Sequence, residues 1–181
     1  ILSRDQFCDA LRLRFNMEPK NLPKICIANN CQSAFTVEHS DICARGGTTI
    51  QRHNQIRNII GTYAEQAFET ASANIEPTLG HTSTEIKEAI QGNIKDNARA
   101  DMCMRSLNKP QIYSFLDVAI ISPTCDSNVG EKDHIKINVE ESQKRNPYQD
   151  RVTKLLNGEF CPIVFSSGGL MGDTAKHTIS S

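Results

Sequence analysis

The chain has 181 residues and a hydrophobic fraction of 38%, enough for one domain plus a small appendage with a core that needs no staples. Its formal net charge of -1 supplies no global basic field, so any contact with nucleic acid must come from a local patch. No apolar run approaches the ~20 residues that cross a bilayer, and the opening residues Ile1 to Asp5 lack the apolar stretch of a signal peptide.

These features predict a nuclear or cytoplasmic protein that is neither membrane-spanning nor secreted. With no initiating Met, the chain reads as a piece of a longer protein. The 7 cysteines are an odd number. Cys26, Cys31 and Cys43 cluster with His39, while Cys8, Cys103, Cys125 and Cys161 are scattered among apolar neighbours. That pattern suits a reducing compartment with one metal site better than a disulfide framework.

In chain order, Ser3 and Gln6 form a capping-box pattern that opens a short helix. Phe7, Ala10, Leu11 and Phe15 recur at helical spacing and predict its buried stripe. Pro19 and Pro23 end it. Residues 26–47 form a compact cysteine/histidine block closed by Gly46 and Gly47. Thr48 or Thr49 then caps a long helix reaching about residue 71, with Ile56, Ile59, Ile60, Tyr63, Ala67 and Phe68 on one face. Asn74 to Pro77 reads as a short strand. Residues 80–97 are polar, an excursion with one helical turn at 85–90.

Residues 98–105 alternate, with Ala100, Met102 and Met104 facing one way and Arg99, Asp101 and Cys103 the other, which is strand periodicity. A turn at Asn108-Lys109-Pro110 leads to a more apolar, central strand over 111–121. A loop over 122–132 precedes a helix over 134–144. Pro147 starts a second helix that ends at Asn157-Gly158. A last strand over 160–165 turns through Ser166 to Gly169 into a terminal helix. The order after the leading block is helix, strand, strand, strand, helix, strand. The division expected is 1–47 for the first helix and knuckle and 48–181 for an α/β (α+β) domain.

The block reads Cys-x4-Cys-x7-His-x3-Cys. His39 and Cys43, four apart on a helical turn, project from one face. Three thiolates and one imidazole complete a tetrahedral zinc site with no open position, a structural rather than a catalytic arrangement. The alternative is four unrelated residues, the cysteines buried as small hydrophobes. Zinc would supply the folding energy of so small a block, and its loss should leave the later strands standing.

Asp101 and Asp117 are carboxylates in neighbouring strands, the second among apolar residues, where burial is costly without a partner. A Mg²⁺ or Mn²⁺ ion between them resolves the repulsion. Glu76 can add a third oxygen. Lys144, three residues after Glu141, can reach back to orient a water or neutralise a phosphate. Such an ion polarises a phosphoryl oxygen and lowers the pKa of its water, which is the chemistry of phosphodiester hydrolysis. Each residue also has a plainer role. Asp101 can face solvent on an edge strand, Asp117 can pair with an arginine such as Arg99, Glu76 can be a turn residue, and Lys144 can belong to a solvated charged face.

Taken together, the Cys/Cys/His/Cys block, Gly46-Gly47, Arg52-His53-Asn54-Gln55-Ile56-Arg57, Glu76-Pro77, Ala98-Arg99-Ala100-Asp101-Met102, Phe115-Leu116-Asp117-Val118, Glu141-x-x-Lys144 with Tyr148 and Arg151-Val152, and the run from Phe160 to Gly172 carry a resemblance in their order. The chain resembles the restriction-endonuclease-like domain of non-long-terminal-repeat retrotransposon proteins and related reverse-transcriptase-type proteins, along nearly its whole length. The resemblance implies a PD-(D/E)xK nuclease fold in which Asp101 and Asp117 bind the catalytic ion. The lysine that usually follows the second acid by two residues is Ala119 here, and the resemblance moves that role to Lys144. Alanine, not proline, precedes Asp101, and Pro147 interrupts a helix that is continuous in relatives.

The implied partners are duplex DNA, held through phosphates, and a linked reverse transcriptase. Arg52, His53, Asn54, Arg57, Arg99 and Tyr148 are the candidate DNA contacts. The first three stand at a helix N-terminus, which favours phosphate or merely needs a cap. The competing readings are a non-catalytic binding module and an inactive remnant of a retroelement.

Overall fold

The computed structural model describes residues 2–15, 17–68, 73–80, 98–122 and 132–180. Of the expected excursion over 80–97, all but Gly80 lies outside them with its helical turn, as does the greater part of the loop with Cys125. Helix α1 spans Arg4–Arg14, α2 Val37–Ile42, α3 Thr48–Ala67, α4 Asp133–Leu155 and α5 Asp173–Ser180. Strands β1 (Asn74–Ile75), β2 (Met102–Arg105), β3 (Tyr113–Ile121) and β4 (Glu159–Ser166) form one sheet in the order β1-β2-β3-β4. The first two pairings are antiparallel and β3–β4 is parallel, so the sheet is mixed and α4 is the crossover of a βαβ unit.

The two faces of the sheet bury different sets of side chains. Met102, Met104, Leu116, Val118, Cys161 and Ile163 pack beneath Ile56, Ile60 and Ala64 of α3 and Ala175 of α5. On the other face, Ala98, Ala100, Cys103, Phe115 and Phe160 pack with Leu79 and with Tyr148, Val152 and Leu156 at the end of α4. Burial pushes the Cys103 thiol up to about 11 and the Cys161 thiol up to about 12, so both act as small core hydrophobes.

The chain kinks at Asp101, and this alters the expected alternation. Ala100 and Cys103 share one core, whereas Met102 and Met104 belong to the other. Asp101 therefore sits in a bend just before β2 rather than in mid-strand. The pairing to the neighbouring strand runs straight through the kink. Ile75 faces Met102 on one side, and the bridge from Thr78 to Arg99 keeps the same register on the other. Glu76, opposite Asp101, turns with it at φ 53° and donates its N–H to the Asp101 carbonyl at 3.0 Å. Both strands thus bend at the two acids.

Several expectations at helix boundaries change. The capping box of Ser3 and Gln6 is present, but α1 has no buried residue and Phe7, Leu11 and Phe15 are exposed. Helical spacing built the stripe, and no described element covers it. Helix α3 is capped by Gly47 in the left-handed region at φ 67° rather than by either threonine, and it ends at Ala67. Its buried stripe runs through Arg57, Gly61 and Ala64, while Ile59 and Tyr63 are exposed.

Helix α4 is continuous through Pro147 instead of stopping and restarting. Proline suits helical φ and forfeits the bond to Gln143, and both residues face solvent, where water can take that carbonyl. The strand after α4 is held close: a Cβ at Gly158 would meet the Tyr113 carbonyl oxygen at 2.7 Å and the Phe115 ring at 2.9 Å. Only glycine lets β4 start there.

Candidate functional site

The cysteine/histidine block is a small hairpin followed by α2. Ile25 bridges Ala34, and the Cys26 N–H donates to the Ser33 carbonyl at 2.9 Å. Asn30 and Gln32 take positive φ around the tight bend that carries Cys31. Thr36 caps α2 by accepting from the His39 N–H at 3.0 Å, and Phe35 packs edge-on against the His39 ring. Cys43 closes the helix, one turn from His39.

The four ligand atoms converge to within 4.8 Å of one another. Cys26 Sγ lies 3.7 Å from Cys43 Sγ, Cys43 Sγ 3.9 Å from Cys31 Sγ, and Cys31 Sγ 3.4 Å from His39 Nε2. A tetrahedral zinc with Zn–S bonds of about 2.3 Å has sulfur–sulfur edges of about 3.8 Å. The spacing therefore fits a four-coordinate ion, and the cluster can hold a metal such as zinc. The Ser33 hydroxyl, then the Ser33 backbone, hold the Cys31 thiol down to about 6, which favours the thiolate a metal needs.

The acids come together at a second place, where the chain bends into the start of β2 beside the middle of β3. Asp101 Oδ2 accepts from the Val118 N–H at 2.6 Å, taking the place of a backbone carbonyl where the strand bends away. Asp117 projects from β3 towards α4, whose Lys144 Nζ donates to Asp117 Oδ2 at 2.8 Å. Burial pushes Asp117 up to about 6. The Lys144 charge and hydrogen bond pull against that rise, and the neighbouring Asp101 carboxyl adds to it. The two carboxyl groups are thus near enough to influence each other. The alternative pairing of Asp117 with Arg99 does not occur, because Arg99 faces Glu76 at 3.7 Å.

Glu76 is turned away from the acid pair. Its carboxylate accepts from the buried Arg57 at 3.1 Å. Among the described residues the only group of three or more clustered potential metal ligands is the cysteine/histidine set, so Glu76 does not join Asp101 and Asp117 as a third oxygen.

The six candidate DNA contacts are dispersed. Arg52 grips the Asp41 carboxylate at 2.8 Å and the Asp41 carbonyl at 2.9 Å, fastening the knuckle to the first turns of α3. His53 Nε2 lies 3.0 Å from Asp101 Oδ2, and its Nδ1 lies 3.3 Å from Asn54 Oδ1. Arg57 is spent on Glu76, and Tyr148 packs against the Phe160 ring with centroids 5.5 Å apart. Of the six, Arg99 is the cation most open to solvent.

Two contacts escaped the sequence reading. Glu141, singled out only for its spacing to Lys144, accepts from the Thr174 N–H and hydroxyl, both at 3.1 Å, and so caps α5 from a distance. A Cβ at Gly172 would overlap that carboxylate, which explains the glycine. The contact of His53 with Asp101 was signalled only by its position four residues before Arg57, on the polar and small-residue stripe of α3. No family model matches the chain, and no curated protein matches it.

Proposed function

We propose that this chain is a divalent-cation-dependent DNA endonuclease, a restriction-endonuclease-like domain behind a zinc knuckle, which nicks duplex DNA for a linked reverse transcriptase. The observation that carries the reading is the Lys144–Asp117 contact on β3, with the Asp101 carboxyl, at the bend before β2, near enough to influence Asp117. The order α3, β1, β2, β3, α4, β4 supports it, as does the mixed sheet with helices on both faces.

Two neighbouring carboxylates form an oxygen donor set suited to Mg²⁺ or Mn²⁺. When bound there, such an ion supplies Lewis acidity towards a phosphoryl oxygen and lowers the pKa of a water. Asp101 is fixed by the Val118 N–H, so its carboxylate is held in one orientation. Lys144 neutralises Asp117 in the absence of a cation and stands where its ammonium can turn to a phosphate oxygen or a nucleophilic water.

A plasmid-nicking assay with Mg²⁺ or Mn²⁺ tests the proposal. The unaltered chain should convert supercoiled DNA to the open circle, Asp117→Ala should abolish this, and Lys144→Ala should slow it by about 10²-fold or more. Equal nicking by the chain and Asp117→Ala would remove the site. The rival reading is a non-catalytic nucleic-acid- or protein-binding module. Retained duplex binding without any nicking would support that rival.

A further inference from the structure

Helix α3 does more than cover the sheet. His53 and Arg57 lie one helical turn apart on its inner face, the spacing that places two side chains together. They meet two acids that stand opposite each other across the β1–β2 register: His53 contacts Asp101 and Arg57 contacts Glu76. The two contacts clamp the kinked strand pair from above.

The His53 contact has a defined polarity. Its Nε2 lies 3.0 Å from Asp101 Oδ2 and 3.1 Å from the Val118 carbonyl oxygen. Both neighbours are acceptors, so Nε2 carries the hydrogen and donates to both. The Val118 N–H donates in turn to the same Oδ2. His53 and Asp101 together therefore satisfy both backbone groups of Val118, continuing the ladder beyond the point where β2 bends away. Two donors fall on Oδ2.

We infer that His53 is a positioning residue of the acid pair: its Nε2–H locks the Asp101 carboxylate so that a divalent cation meets a preformed pair of oxygens. This rests on the cation-binding reading of Asp101 and Asp117. His53 does not bind the cation through Nε2, because that nitrogen is occupied by its own proton. Outer-sphere donors of this kind are commonly worth 10–100-fold in metal affinity.

The test measures Mn²⁺ binding to the zinc-loaded chain by electron paramagnetic resonance, with thermal unfolding and zinc content recorded for every variant. Asp117→Ala should lose Mn²⁺ binding. His53→Gln, which keeps an N–H at comparable reach, should stay within about threefold of the unaltered chain. His53→Asn, too short to reach, and His53→Leu, with no donor, should weaken Mn²⁺ by about tenfold or more. If the unaltered chain binds no Mn²⁺ beyond Asp117→Ala, the acid-pair reading and this inference fall together. If Asp117→Ala abolishes binding while His53→Asn and His53→Leu, folded and zinc-loaded, bind like the unaltered chain, the acid pair stands and the positioning role is overturned. Gln as weak as Leu would also overturn N–H donation as the cause.

Discussion

The block ahead of α3 and the sheet behind it are organised by different physics. Among the described residues of the block the buried apolar ones are Cys26 and Cys43, two members of the candidate metal cluster, while Leu2, Phe7, Leu11, Phe15 and Ile27 are exposed. In the sheet domain two faces bury Met, Leu, Ile, Val and Phe side chains beneath three helices. A segment with so little apolar burial does little to offset its own chain entropy, and an ion in the cysteine/histidine cluster would supply what is missing. The sheet has two apolar cores to hold it, and Asp101 and Asp117 lie on that scaffold. On the proposed function, thiolates would thus serve folding in one region and carboxylates chemistry in the other.

The largest effect that would break this contrast is removal of one thiolate. Cys43→Ser should release zinc, whose binding in small domains is worth on the order of 10 kcal/mol, and abolish hydrogen-exchange protection in the hairpin and α2. The strands of the sheet should keep theirs. Simultaneous loss of protection in β3 and β4 would show that the two regions are not energetically distinct.

The acid pair should behave in the opposite way, as a cost to folding. Folding raises Asp117 from its ordinary value of 3.8 to about 6, because burial disfavours the charged form. Its contribution therefore favours the folded state fully below 3.8 and is lost as pH rises through about 6. Without a divalent cation, urea unfolding should show stability falling over that window by up to about 3 kcal/mol from this group, and Asp117→Asn should flatten the fall. An unchanged profile in Asp117→Asn would show that the cost lies elsewhere.

Gly158→Ala sharpens the contrast from the side of packing. The new methyl meets the Tyr113 carbonyl and the Phe115 ring, neither of which can yield without opening the β3–β4 pair. A loss of about 2 kcal/mol in the unfolding of the sheet, with zinc content unchanged, is expected. The smallest effect belongs to the joint. Arg52→Ala removes a partly exposed ion pair to Asp41 and should cost about 1 kcal/mol or less, seen as faster exchange at the start of α3.

The parts legible in the sequence are those whose signal is local. Ligand spacing picked out the four residues of the cysteine/histidine cluster, and a carboxylate among apolar neighbours picked out Asp117, which the fold buries against Lys144. Period-2 and helical patterns gave the element order and the central place of β3. What stayed hidden depends on how elements meet. The kink at Asp101 sends Ala100 and Met102 to opposite faces, yet the alternating sequence looks unbroken through it. Hydrophobicity placed Ile59 and Tyr63 of α3 inward, whereas the helix turns Arg57, Gly61 and Ala64 to the sheet because Arg57 has Glu76 to neutralise it. For the same reason basic residues that looked free for phosphate are bound to acids distant in sequence, Arg52 to Asp41 and Arg57 to Glu76. The apolar stripe of α1 had the right spacing, but spacing says nothing about whether a partner exists.

The grip of Arg52 on Asp41 bears on where the protein can be divided. Composition suggests a cut after Gly47, but the last turn of the knuckle and the first turns of α3 are riveted together by one guanidinium and two oxygens. A chain trimmed to start at Thr48 would lose the residue that caps α3 and leave Arg52 without its anchor. Fraying would then begin one residue from His53. A fragment meant to preserve the acid pair must therefore carry the knuckle along, even though the knuckle contributes no side chain to that pair.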